Sequence, residues 1–218
     1  DVLDLPDEGA DMITVGGFEA LRDAGKVREA IHAYLAAVSF ADAQLGRIMD
    51  AFAASPIAES ATVVLWSDHG RHLGEKMHWS KNTLWERSTR VPFLISSPSL
   101  PKRGYKWPVS LLDMAPTLSR LSGLPDEPTW DGRTLTAQIG SPAAAHANPA
   151  LMYWEDGNVA VRWKRWRLIQ YRSGEIELYN RGNDPDEHYN LAVGDWQSNP
   201  LRVAAVDAMQ AAIPPRFG

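Results

Sequence analysis

The stretch Ala61-Thr62-Val63-Val64-Leu65-Trp66-Ser67-Asp68-His69-Gly70-Arg71-His72-Leu73-Gly74-Glu75-Lys76-Met77-His78-Trp79-Ser80-Lys81-Asn82 decides how this chain folds. Its first seven residues form a short apolar, β-branched run, the pattern of a strand covered on both faces. The next fifteen carry three of the chain's six histidines, with an aspartate, a glutamate and two lysines. In open α/β sheets ligands gather outside the carboxyl ends of strands, so this polar segment stands where chemistry is expected. Gly70 and Gly74 leave the backbone free to turn, so Asp68 and His69 can converge on one ion although strand neighbours point apart.

Upstream, Ile31, Tyr34, Leu35, Val38, Ala41, Leu45, Ile48, Met49 and Phe52 recur at three- and four-residue steps. That spacing predicts an amphipathic helix of roughly seven or eight turns, ended by Pro56. Downstream, Arg90–Ser96 reads as a second buried strand, with Pro92 restricted to a strand start or an edge. Leu111–Leu121 returns to helical spacing, with Asp113 as N-cap, Pro116 in the first turn and Gly123 as the stop. Helix, strand, loop, strand, helix is the rhythm of an α/β sheet covered on both sides. The texture then changes. An Ala/Pro linker (Ser141–Asn148) precedes a short, aromatic, alternating pattern through Val159–Tyr179, turning at Ser173-Gly174. A last short helix is expected over Pro200–Ile213. Two units follow, residues 1–140 and 150–218, the second a small antiparallel sheet whose Trp163, Trp166 and Tyr171 face packs on the first.

At 218 residues, 44% of them hydrophobic, the chain has material for a core. The net charge of −5 advertises no basic face for nucleic acid. No apolar run approaches the ~18–20 residues of a membrane span. Without cysteine there is no disulfide, thiolate zinc site or cysteine nucleophile. The opening Asp1–Asp11 reads as an acidic loop, the middle of something longer.

The order TVVLWSDHG, LGE, HWSKNTLWE and TRVPFLI resembles the sulfatases of the alkaline-phosphatase-like superfamily, closest to the branch with the iduronate sulfatases. Further pieces follow in the family's order. Ser110–Leu118 resembles the helix after the second strand, and Asp131-Gly132-Arg133-Thr134-Leu135 the DGRSL turn. Glu177-Leu178-Tyr179-Asn180, Asp184-Pro185-Asp186-Glu187 and Asn190-Leu191 resemble the C-terminal signature. The resemblance implies part of an alkaline-phosphatase-like mixed sheet flanked by helices, then a small antiparallel sheet with a terminal helix.

It also implies roles. Asp68 and His69 fall on metal ligands, calcium in most sulfatases, where the ion acts as a Lewis acid on a sulfate oxygen. Lys81 falls on the lysine that contacts the substrate sulfate. His78 is expected at the sugar or sulfate site beside Lys81, with His72, Lys76 and Trp79 as further substrate contacts. The family's nucleophile is a formylglycine made from the Cys or Ser of a C/S-x-P-x-R motif. Neither that motif's usual context nor the family's adjacent aspartate ligands is identifiable here. The resemblance thus implies a sulfate ester as substrate, such as that of a sulfated sugar, and an N-terminal half of the enzyme as partner. Alone, the chain is expected to show no turnover. Ser198-Asn199-Pro200-Leu201-Arg202 fits S-x-P-x-R by letter, but reads better as a helix cap with proline in the first turn. Three alternatives remain open. One is a phosphodiester or phosphonate monoester hydrolase of the same superfamily, using manganese or iron. The second is a noncatalytic metal module built from Asp68, His69, His72 and His78. The third is an interaction subunit.

Overall fold

The computed structural model describes residues 2–14, 17–141 and 149–215, so most of the predicted Ala/Pro linker lies outside the described residues. Two short helices, α1 (Asp7–Thr14) and α2 (Phe18–Asp23), lead into the long α3 (Val27–Ala53). The predicted periodicity is realised in α3, yet none of its residues is buried, and Leu35 and Ile48 are 55% and 64% exposed.

Strand β1 (Val63–Trp66) pairs antiparallel with β4 (Phe93–Ser96), Val63 opposite Ser96 and Trp66 opposite Phe93. Pro92 lies just ahead of β4, as its missing N–H requires. The expectation of strands covered on both faces is corrected here: Trp66 is 48% and Leu94 54% exposed. Apolar content had implied a covering layer, but the described residues provide none on those sides.

Between the two strands run the hairpin β2 (His72–Leu73) and β3 (Trp79–Ser80), then the single turn α4 (Glu86–Thr89). Helix α5 (Met114–Leu121) follows a 3-10 turn, Leu111–Asp113. Asp113 holds the N-cap position of α5 as expected, but its side chain caps no N–H of that helix. Ser110 caps that turn, accepting the Leu112 N–H at 3.2 Å, while the Asp113 carboxylate accepts the Ser110 N–H at 2.9 Å. This is a reciprocal capping box. The other Asp113 oxygen accepts the Arg133 N–H at 2.9 Å and docks the Asp-Gly-Arg turn. Gly132 is required there because a Cβ would stand 1.9 Å from the Leu112 carbonyl oxygen. A short helix, α6 (Thr136–Gly140), follows.

The C-terminal sheet is a meander of β5 (Ala150–Trp154), β6 (Asn158–Trp163), β7 (Trp166–Gln170) and β8 (Ile176–Asn180), all antiparallel, with the predicted turn at Ser173-Gly174. Side chains alternate between its faces. Val159, Val161, Leu168 and Leu178 pack on α7 (Pro200–Gln210) through Ala205, Val206 and Met209. Ala160, Ile169, Tyr171 and Tyr179 pack on Met12, Leu84 and Trp85. Tyr171 therefore faces the first part of the chain as expected, but Trp163 and Trp166 lie on the α7 side. The period-two parity of β6 and β7 separates them.

Helix α7 begins as read from its sequence. The Asn199 side chain accepts the Leu201 and Arg202 N–H groups at 3.1 and 3.3 Å, and Pro200 takes the first position. Ser198 Oγ donates to the Asp195 carbonyl at 2.8 Å, a turn contact. Asn199→Ala is expected to destabilise the chain by about 1 kcal/mol. Urea unfolding with a midpoint unchanged from wild type would contradict that role.

The joint between the first part and the C-terminal sheet is charged at its deepest point. Arg167, 1% exposed, pairs with Glu86 and, at 2.7 Å, with Glu187, and donates to the Leu84 carbonyl at 2.7 Å. Arg181 and Arg162 reach Glu86 at 2.7 and 3.3 Å, and the Glu86 N–H donates to Glu187 at 2.8 Å. Burial works against the Glu86 charge, but Arg167, Arg162 and Arg181 outweigh it and hold its pKa down at about 2. At Glu187 burial prevails over Arg167 and the pKa is pushed up. Beside it, Trp85 donates to Glu177 at 2.8 Å, as do the Tyr171 and Tyr179 hydroxyls. Lys76 reaches the Tyr179 hydroxyl at 3.1 Å.

Candidate active site

The chain leaves β1 at Ser67, and the Ser67 hydroxyl donates to the His69 carbonyl at 2.8 Å, tightening the turn. Gly70 then passes against the α4 backbone. Its N–H donates to the Ser88 carbonyl at 2.7 Å, and a Cβ would stand 2.1 Å from the Arg87 carbonyl oxygen. Only glycine allows that approach, and the approach fixes where Asp68 and His69 project.

Three of the predicted groups come together. Asp68 Oδ2 lies 3.4 Å from His69 Nε2, and Lys81 Nζ lies 2.7 Å from the same nitrogen. His69 Nδ1 is 2.8 Å from the Gly70 carbonyl oxygen, which only accepts, so Nδ1 carries the proton and Nε2 presents its lone pair. Lys81 Nζ donates to that lone pair, so a divalent ion shared by His69 and the Asp68 carboxylate would take the place of the ammonium. Asp68 is exposed, so its carboxylate is open to a ligand. These two donors fit a divalent ion, which needs further oxygen ligands to complete its shell. Among the described residues no group of three or more His, Asp or Glu side chains converges as a metal site.

The remaining predicted residues occupy different surroundings. His72, Lys76 and His78 are interior, 1%, 1% and 0% exposed. His72 is held between the Glu75 carbonyl at 3.1 Å and the Thr83 hydroxyl at 2.9 Å. His78 Nε2 donates to the Lys81 carbonyl at 2.9 Å, and its ring meets that of His72 edge-on. Lys76 is enclosed by Trp85 and Tyr179. In this chain the three brace the loop from inside. Alternation across a two-residue hairpin turns His72 inward while Lys81 stays half-buried at the mouth. The four-residue metal module is likewise not assembled, because His72 and His78 point into the core. Trp79 lies half-buried, its ring 5.9 Å from the Arg71 guanidinium.

The loop is strained where it carries Lys81. Lys76, Met77 and Asn82 have φ of 52°, 53° and 69°, and Ser80 has φ of 154°. Such conformations persist only where the surroundings enforce them. Here His72, His78 and the Arg87 pair with Glu75 at 3.2 Å supply the restraint.

Burial pushes the His72 pKa down to about 4 from an ordinary 6.5, with His78 adding to the effect. The unfolded chain takes up that proton near pH 6.5 and the folded chain does not until about pH 4. Stability should therefore fall as pH drops through this window, by about 3 kcal/mol in all at about 1.4 kcal/mol per unit. Glu86 acts in a lower window, its stabilisation lost between about pH 4.5 and 2. Urea unfolding at pH 8, 6 and 4.5 reads the His72 effect, and His72→Gln should flatten the slope.

A mixed α/β frame carries an Asp, His and Lys cluster just beyond the end of β1. Residues 8–124 match the sulfatase family model, and residues 74–211 match the model of the N-sulphoglucosamine sulphohydrolase C-terminal region. The chain belongs to the sulfatase family. It is 35% identical over 218 residues to a sulfatase of Formosa agariphila, covering 98% of this chain and 42% of that protein. It is 31% identical to the choline-sulfatase of Rhizobium meliloti, covering 76% of this chain and 34% of that one. The chain thus spans under half the length of these curated relatives. Among solved structures, BT4656 in complex with D-glucosamine-2-N,6-O-disulfate matches with a TM-score of 0.71 at 22% identity, over 86% of this chain and 40% of that one. The phosphonate monoester hydrolase of Agrobacterium radiobacter matches with 0.68 at 22%, over 78% and 38%. These likenesses establish the alkaline-phosphatase-like fold. No helix among the described residues is long and apolar enough to cross a membrane.

Proposed function

We propose that this chain is the C-terminal part of a metal-dependent sulfatase that hydrolyses sulfate esters of sulfated sugars. The observation that carries the reading is the convergence of Asp68 Oδ2, His69 Nε2 and Lys81 Nζ at the end of β1. Asp68 and His69 would hold a divalent ion, calcium by the hardness of its expected oxygen ligands, together with ligands from outside this chain. Such an ion supplies Lewis-acid polarisation of a sulfate oxygen. Lys81 supplies a compact positive charge for the oxygens of the same group, from a backbone that His78 holds. The nucleophile, a formylglycine in the family's chemistry, comes from the N-terminal part of the enzyme. The bare apolar sides of α3, β1 and β4 suit burial against that part.

The test is sulfate release by the complete enzyme, with and without EDTA and with calcium restored. Turnover that EDTA abolishes and calcium recovers, with none from residues 1–218 alone, is the expected result. Turnover by the isolated chain, or full activity in EDTA, would sink the reading. A second reading, hydrolysis of phosphonate monoesters with manganese, draws on the likeness to the Agrobacterium radiobacter enzyme. It predicts that the complete enzyme prefers phenyl phosphonate esters to aryl sulfates.

A further inference from the structure

The loop that carries Lys81 is gripped by a distant part of the chain. Lys76 is the middle residue of a 3-10 turn on that loop, Glu75–Met77. Its side chain is buried, and Nζ donates at 3.1 Å to the hydroxyl of Tyr179, 103 positions away on β8. The centres of the Tyr179 and Trp85 rings lie 4.9 and 5.3 Å from Nζ. Behind them the Glu177 carboxylate accepts from the Tyr171 and Tyr179 hydroxyls and, at 2.8 Å, from Trp85 Nε1. Gly9 of α1 closes that side, since a Cβ there would stand 2.7 Å from Glu177 Oε1. Glu177 thus fixes the two rings that meet Lys76. Burial pushes the Lys76 pKa down, and Glu177 is the foremost of the acids that offset it.

The grip reaches Lys81 by short steps. Lys76 and Met77 both have positive φ, 52° and 53°, which side-chain-bearing residues hold only where their surroundings enforce it. The Met77 N–H donates to the Gly74 carbonyl and the His78 N–H to the Glu75 carbonyl, each at 3.1 Å, so the turn leaves no slack between Lys76 and His78. His78 Nε2 in turn donates to the Lys81 carbonyl at 2.9 Å. A methionine would fill the space between Trp85 and Tyr179 without burying a charge. What the ammonium adds is a directional bond between β8 and the turn.

We propose that Lys76 is a positioning residue: through its bond to Tyr179, the C-terminal sheet sets the place of the Lys81 ammonium and thereby the rate. This rests on the sulfatase reading above.

The experiment is a mutant cycle on sulfate-ester hydrolysis by the complete enzyme, with wild type, Lys76→Met, Lys81→Ala and the double variant. Lys76→Met is expected to lower kcat by about tenfold to a hundredfold, the effect of misplacing a group by about 1 Å, while KM stays within about threefold. Once Lys81 is alanine there is no ammonium left to misplace, so adding Lys76→Met should change kcat by less than about twofold. Loss of packing alone would slow both backgrounds by the same factor. Tyr179→Phe removes only the hydroxyl; it should lower kcat in the same way, lose its effect beside Lys81→Ala, and carry the test if Lys76→Met fails to fold. Equal factors with and without Lys81, or a kcat within about threefold of wild type for the folded variant, would overturn the proposal and leave Lys76 as packing. A complete enzyme that hydrolyses no sulfate ester would overturn the sulfatase reading, and this inference with it.

Discussion

Replacing Arg167 by methionine should destabilise the folded chain by about 3–5 kcal/mol, the cost of removing one partner from a buried charge network. Arg167 is 1% exposed and bridges the carboxylates of Glu86 and Glu187 from β7, an inner strand of the C-terminal sheet. Without it, Glu187 keeps the Glu86 N–H at 2.8 Å and, as its one cation in the network, Arg181 at 3.7 Å, and the Leu84 carbonyl loses the Arg167 donor. A carboxylate so placed must be left uncompensated in the interior or take up a proton, and both outcomes weaken folding. Trp85, buried in the joint, makes tryptophan fluorescence a direct reporter of urea unfolding. A loss below about 1 kcal/mol, the range of exposed pairs, would show that the network does not hold the two parts together. Arg181→Met should cost less, because both of its partners retain Arg167.

In the complete enzyme, Lys81→Ala should lower kcat by about 10²–10³-fold, the effect of removing one preorganised donor to developing negative charge. Lys81 sits between Ser80 and Asn82, both with positive φ, and its carbonyl is pinned by His78. The ammonium is therefore placed before substrate arrives. Lys81→Arg should not rescue the rate, since a planar fork on a longer stem cannot occupy the position of a compact ammonium 2.7 Å from His69. A Lys81→Ala enzyme within tenfold of wild-type kcat would remove Lys81 from the chemistry, and a change confined to KM would make it a ground-state binder.

Much of this was legible in the sequence. Periodicity located α3 and the two strands around the polar segment, because helix and strand repeats are local properties of side-chain spacing. The Ser-Gly turn and the Asn-Pro start of α7 were equally local. The order of short motifs pointed to the family, and the Asp68, His69 and Lys81 cluster followed from it.

What the sequence alone did not determine depends on which side of an element meets which neighbour. Nothing in its letters turned His72, Lys76 and His78 inward, or set Trp163 and Trp166 on the α7 side while Tyr171 faced Trp85. Those outcomes belong to strand parity and to layers built from residues a hundred positions apart. A similar distance hid the pairing of Glu86 with Arg167 and Glu187. A charged residue's meaning lies in its partners, and only the tertiary structure brings partners together.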